Sequence, residues 1–409
     1  MIDRGPIVTC CAIVFLLTTV QACFAQATPN PQPPPAPQSS SAPPPPTPTA
    51  FDDALSRAAN DLFSKASVPA GPDKIELVID PLIDAATGAQ SAATRLMQER
   101  VKDLVAKSYP RFVVRPFSSE ALSRAPVVLI GTFTAVNNSG VPDGVRDAYR
   151  ICLALADLRS KSIVSKGVAR AKPEGVNAEP SPAFADAPIW TNDPATSVYI
   201  KTCQGSKPGD PIDPFYVERI ATSAFVSDAI LEYDDQRYRE ALAFYRTALQ
   251  MSGGDQLRVH SGIYLSNWKL NRRTDATEAF GNLVKYGFAA DRLSVRLLFK
   301  PGTTQFIDDP NISGSYPMWL SQIAAQAMQN KACIDVVGHT SNTGPAQVNE
   351  RLSVLRAQFI KDLLQSASPS LAERLKAIGV GSRQSIVGTG RDDSSDAIDR
   401  RVDFNVRSC

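Results

Sequence analysis

The thirty-one residues from Ile334 to Leu364, IDVVGHTSNTGPAQVNERLSVLRAQFIKDLL, leave little freedom in what they can form. An apolar run closing at Gly338 reads as a buried strand. The polar turn GHTSNTG follows, made of small residues that tolerate tight backbone geometry. A long helix comes next. Val348, Leu352, Leu355, Phe359 and Leu363 recur at spacings of three and four, so they share one face, the one expected to meet the core. Asn349, Ser353 and Arg356 form a polar stripe beside it. A strand-end turn carrying His339, Thr340 and Ser341 should therefore face a helix flank carrying Asn349 and Arg356. That is a small concave polar site with one fixed positive charge, suited to a carboxylate.

The stretch is similar to the OmpA-like peptidoglycan-binding domain, whose signature is a strand, GHTD, a short turn to Gly, then N-x-x-L-S-x-x-R-A on a helix. Here the residues read GHTS, NTG and NERLSVLRA. Upstream, VRLLFKPGTTQF (Val295 to Phe306) resembles that family's first strand and turn. Downstream, VGTGRDDSSDAIDRRVDFNV (Val387 to Val406) resembles its last turn, near-terminal motif and final strand. The resemblance covers residues 291–409 and implies a two-layer α/β sandwich of βαβαβ type. It further implies that Thr340, Ser341, Asn349, Arg356 and Arg400 bind the peptidoglycan stem. In the family the acid of GHTD pairs with the ammonium of diaminopimelate and the helix arginine holds its carboxylate. Here Ser341 stands at the acidic position, and Asp399 stands where an asparagine is usual. Exchanging a charge-assisted for a neutral hydrogen bond should weaken an ammonium ligand by about 1–2 kcal/mol, unless Asp392, Asp393 or Asp396 compensates.

The 409-residue chain has room for two or three domains. Its 43 basic and 41 acidic residues give a net charge of +2, which excludes an electrostatic case for nucleic acid. Two histidines leave little room for a histidine-based metal site, and nothing calls for a cofactor. Residues 1–27 read as a secretory signal, with Arg4, an apolar run from Ile13 to Val20, and the small-x-small site Ala25-Gln26-Ala27. A second reading takes Val20-Gln21-Ala22-Cys23 as a lipobox with Cys23 lipidated. Either route exports the protein, to a periplasmic, outer-membrane-associated place. Residues 28–50 are a proline-rich stretch, read as a spacer of about 60 Å in polyproline II form or as a plain leader.

From Phe51 the pattern is that of a multidomain α+β chain. Over residues 51–205 helix and strand alternate, and three consecutive strands follow, with turns at Asn138 to Gly144 and Ser160-Lys161. The order resembles the small α/β domain of curli-secretion and penicillin-binding-protein-activator lipoproteins. Asp80 and Asp84 are read as a strand end and a turn, not a catalytic pair. Residues 170–213, rich in Pro, Gly, Asp and Ser, read as a long excursion or linker, with Trp190 and Val198 to Lys201 folding back on the preceding domain. Residues 214–290 are helical. Ala241 with Tyr245 and Ala276 with Phe280 repeat at an offset of about 35, which resembles two tetratricopeptide repeats. A plain helical linker is the other reading. So short an array should lean on a neighbouring domain, and would offer a docking surface for envelope proteins.

Beyond the signal, Cys152, Cys203, Cys333 and Cys409 remain, an even count that in an exported chain favours disulfides. Three pairings are open; domain logic prefers Cys152–Cys203 and Cys333–Cys409. Two functions compete: a non-enzymatic module binding peptidoglycan and linking it to the outer membrane or to envelope partners, and an assembly scaffold that has lost wall binding through Ser341. Hydrolysis would have to use Ser341 beside His339, with no acid expected to orient the histidine.

Overall fold

The computed structural model describes residues 46–68, 74–191, 193–391 and 394–409, with the side chains of 394–396 excepted. The signal, the Cys23 site, most of the proline-rich stretch, and Asp392 and Asp393 lie outside these residues. The compensation expected from Asp396 rests on a side chain that is not described either. The described end of the proline-rich stretch is tied down: Thr49 donates to Arg170 O and accepts from Lys172 N.

The first module runs α1 (Phe51–Ser64), β1 (Ile75–Ile79), β2 (Ile83–Asp84), α2 (Ala92–Ser108), β3 (Phe112–Arg115), α3 (Ser119–Ser123), β4 (Val127–Val136), β5 (Ala148–Asp157) and β6 (Ser162–Ala171). Its sheet order is β3-β1-β4-β5-β6, with β2 beside β4. The first strands pair in parallel through α2, which Ser91 and Thr94 cap reciprocally. The last three form the expected antiparallel meander. Strand β4 is buried along its whole length, which is why it reads as VVLIGTFTAV without alternation.

Residues 170–213 are more ordered than a linker. They hold α4 (Pro182–Ala185), β7 (Ile189–Trp190) and α5 (Pro194–Gln204). Helix α5 lies back on the first sheet, where Cys203 bonds Cys152 and the Tyr199 hydroxyl meets Gly131 N and O. Trp190 goes two ways. Its indole donates to Thr87 O of the first module, while β7 pairs with a strand of the C-terminal sheet.

Helices α6 (Pro214–Asp234), α7 (Tyr238–Gln250), α8 (Leu257–Lys269) and α9 (Arg273–Ala289) follow. The small–aromatic pairs Ala241/Tyr245 and Ala276/Phe280 are all buried. The helices lean on the C-terminal segment through aromatic rings: Phe280 stacks on Trp319 at 5.4 Å, and the Trp319 indole donates to Tyr264 Oη at 2.8 Å. One hydrophobic core runs through both.

The C-terminal segment holds β8 (Arg292–Val295), α10 (Pro310–Ser313), α11 (Tyr316–Gln329), β9 (Cys333–Gly338), α12 (Ala346–Ala367), β10 (Leu375–Gly379) and β11 (Val402–Arg407). Its sheet order is β10-β9-β11-β8-β7. The first strand ends at Val295, where the sequence reading began it; Leu297 to Phe306 instead makes a turn closed by a Phe299–Phe306 bridge. The Cys333–Cys409 disulfide joins the start of β9 to the chain end just beyond β11. Both preferred pairings are present.

The face of α12 is a correction. Val348 and Leu355 are exposed and Leu352, Phe359 and Leu363 only half-buried, whereas Asn349, Ser353, Arg356, Ala357, Ile360 and Leu364 point inward. The cause is how closely the helix approaches the sheet. A Cβ on Gly338 would sit 2.2 Å from Ser353 O, and one on Gly379 2.4 Å from Val354 N. At that separation only Ser353 and Ala357 fit over the two glycines, so the larger inward residues Ile360 and Leu364 come further along the helix.

Candidate functional site

The turn after β9 is fixed from three sides. His339 N donates to Arg401 O, Thr340 N to Gly381 O, and the Asn349 amide to Thr343 O at 3.0 Å and Ser341 O at 3.4 Å. Asn349 therefore acts on the turn's backbone, and this brings it together with Thr340 and Ser341. The Ser341 hydroxyl approaches Thr343 Oγ1 at 3.4 Å. The Thr340 hydroxyl is buried and meets no donor or acceptor among the described residues.

Arg356 sits two turns further along the inward face. Its Nε donates to Thr303 O at 3.0 Å and an Nη to Lys300 O at 3.4 Å, with the guanidinium 4.7 Å from the Phe299 ring centre. The side chain is buried. The helix thus places its cation beside the 300–303 turn, about 10 Å along its axis from Asn349. Arg400 lies elsewhere, at the end of a short helical turn (Ser394–Asp399), close enough to Arg296 for the two charges to oppose each other. Of the five sequence-expected residues, three cluster at the turn, and two approach from separate directions.

Beneath the turn is a charged cluster that sequence reasoning missed. Asp403, buried in β11, receives Arg401 Nε at 2.9 Å and Arg292 Nη at 2.7 Å, and lies 3.1 Å from His339 Nε2. Burial alone would raise its pKa, but His339, Arg401 and Arg292 outweigh this and hold it well below the carboxylate range. Burial in turn lowers the pKa of His339. An acid does stand beside His339, contrary to expectation. It is shared with two arginines, so it braces the turn. No spacing rule could have signalled it, because 64 positions separate His339 and Asp403.

Asp399, the departure from the usual asparagine, has a definite task. Fully buried, it accepts from the backbone N–H of Ile386, Val387 and Gly388 at 2.6, 3.0 and 2.7 Å. This shapes the loop facing Asn342, whose amide donates to Gly388 O. The first module holds the same loop. Arg146 donates to the carbonyls of Ser385, Ile386 and Val387, and Arg391 reaches back to Val176 O and Pro173 O.

Residues 298–398 match the OmpA family. This stretch is an OmpA-family domain. Among solved structures, the peptidoglycan-associated lipoprotein of Burkholderia pseudomallei is 23% identical, over 28% of this chain and 89% of its own, with a TM-score of 0.24. An outer membrane protein of Borrelia burgdorferi is 23% identical over 29% and 88%, with a TM-score of 0.22. The cell wall anchor of the T6SS from Pseudomonas aeruginosa is 26% identical over 29% and 81%, with a TM-score of 0.24. No curated protein matches the chain. The OmpA-family domain takes in the turn, Asn349 and Arg356, while β8, β7 and the final strand complete its sheet from outside the matched range.

Proposed function

We propose that this is an exported cell-envelope protein that binds peptidoglycan through its OmpA-family domain. The observation that carries the reading is the placement of Arg356. A guanidinium held by two backbone carbonyls on the inward face of α12 keeps its planar fork oriented, which suits recognition of a carboxylate. Thr340 and Ser341 supply hydroxyls at the neighbouring turn. Asn349 and Asp399 are assigned to holding the turn and the facing loop, so their part in binding is indirect. Arg400 is assigned to the margin of the site.

The OmpA-family match over residues 298–398 supports a wall-binding part, and we read the link to the outer membrane as made by Cys23 if it is lipidated. The four helices, read as two tetratricopeptide-like pairs, and the first module, read as the curli-secretion-like domain, would meet envelope proteins. One observation favours the scaffold instead: Ser341 brings no carboxylate to the turn. Sedimentation with purified peptidoglycan separates the two. Wall binding requires that wild type co-sediment and that Arg356→Ala lose most of that retention. A wild-type protein left in the supernatant would mean the scaffold.

A further inference from the structure

A cavity of about 170 Å³ lies where the first module, the 170–213 segment, the helices and the OmpA-family domain meet. It is separate from the turn site. Its wall is mostly apolar, with Phe184, Ile189, Trp190 and Leu265 among the larger side chains. The size is close to that of a cavity of about 150 Å³ that stays dry and holds one benzene ring. Junctions between domains are also where small-molecule sites concentrate.

The polar groups on this wall are of two kinds. The carboxylates already have donors: Asp84 accepts from Ala86 N, Thr87 N and Thr87 Oγ1, and Asp193 accepts from Thr196 and from Tyr286 Oη. Three donors, by contrast, lack acceptors, although Arg258 also donates from an Nη to Gln256 Oε1. Among the described residues the Arg296 side chain makes no hydrogen bond. Its charge is opposed by Tyr316 and by one carboxylate, Asp186, which is taken by Tyr233 Oη at 2.8 Å and Lys269 Nζ at 2.9 Å. Arg258 Nε and Ser261 Oγ are buried, line the same cavity and have no partner among the described residues. Leaving buried donors unmet costs about 1–3 kcal/mol each, and more for a charged group. An apolar chamber with satisfied acids and unmet cationic and hydroxyl donors is complementary to a small molecule with an anionic head and a short apolar body.

We infer that this cavity binds a small amphipathic monocarboxylate, its carboxylate on Arg296 and its apolar part among Phe184, Trp190 and Leu265. The volume suits a single ring or a short chain, not a two-chain lipid. Such a ligand would touch all parts of the protein at once. It would also lie against Ala397 and against Val387, which belongs to the loop that Asp399 and Arg146 hold beside the turn.

The test uses the full exported chain titrated with hexanoate and with hexan-1-ol, its neutral match, read by calorimetry and by Trp190 fluorescence. Hexanoate should bind at least tenfold tighter than the alcohol. Arg296→Gln should erase that preference, and Arg296→Lys should restore part of it. Leu265→Trp, which fills the chamber, should remove binding of both. Equal affinity for the two probes in wild type would overturn the proposal, as would no binding of either, or undiminished hexanoate binding in Leu265→Trp. Should Arg296→Gln fail to fold, judged by circular dichroism, the wild-type comparison and Leu265→Trp still decide. Peptidoglycan sedimentation of the same variants, expected to be unchanged, keeps the result apart from the wall-binding reading.

Discussion

Two buried carboxylates beside different sheets of the molecule show how partners, not burial, set the behaviour of a charge. Asp403 lies under the turn of the OmpA-family domain, and Asp80 at the end of β1 where the first module meets α6. Both are almost fully buried. Asp403 has two arginines and a histidine against it and is held well below its ordinary pKa. Asp80 has the Tyr216 hydroxyl at 2.7 Å and the more remote charge of Arg258, and burial pushes it up to about 6. One domain is braced by a permanent ion cluster. The other junction is braced by a carboxyl group whose charged form burial penalises and a single tyrosine hydroxyl holds.

Removing each carboxylate gives the largest contrast. Asp403→Ala strands Arg401, which is fully buried, and should destabilise the OmpA-family domain by about 3–5 kcal/mol in urea unfolding. Asp80→Ala strands only a tyrosine hydroxyl and should cost about 1–3 kcal/mol. Similar losses for the two would dissolve the distinction.

The pH response should differ in sign. Asp80 is raised in the fold, so its contribution is complete below about pH 4, its unfolded value, and is lost as pH rises through about 6. The loss should be about 2–3 kcal/mol by pH 7, and Asp80→Asn should flatten that slope. Asp403 is lowered, so its contribution is complete above about pH 4 and lost on further acidification. His339, lowered by burial, acts in the same direction, with its share lost as pH falls below about 6.5. Chemical unfolding of wild type, Asp80→Asn and Asp403→Asn between pH 3 and 8 would read both slopes.

Asp399 is a third kind of buried carboxylate, answered, among the described residues, by three backbone N–H groups and no formal charge in hydrogen-bonding contact. Asp399→Asn restores the residue more usual in the family, but its amide nitrogen would face a donor. We expect a loss of about 1–2 kcal/mol. Sedimentation with peptidoglycan should weaken too, because the loop beside Asn342 would no longer be held. A variant as stable as wild type would show that Arg146 alone shapes the loop.

What the sequence made legible follows from the range of the interactions. The strand–turn–helix of the OmpA-family domain, the β4–β6 meander and the two disulfides rest on local pattern or on cysteine parity. Long-range partners left no such trace: Asp403 under His339, Arg146 on the 385–388 loop, and the two-residue strand Ile189–Trp190 in a proline-rich stretch. Periodicity misled on α12 because the residues that decide its orientation, Gly338 and Gly379, belong to the strands beneath it. The sequence named candidate residues, but not how Asn349, Arg356 and Arg400 divide between the turn, the 300–303 turn and the 394–399 segment.

The subtlest test adds a carboxylate where the family signature has one. Ser341→Asp places it on a mostly buried turn whose backbone Asn349 already holds, above the Asp403 cluster. If that cluster leaves the turn with little spare positive charge, the new group should behave as Asp80 does and cost the free protein about 1 kcal/mol. An ammonium-bearing stem peptide should supply the missing counter-charge and bind about 1–2 kcal/mol tighter, roughly five- to thirtyfold. Calorimetry with a diaminopimelate-containing muropeptide, run on Ser341→Asp and on Ser341→Asn, reads that difference, since asparagine brings the size without the charge. Equal gains in both would mean that shape, not charge, is what Ser341 lacks. No gain in either would place the ammonium away from this turn and leave Arg356 as the determinant of any wall contact.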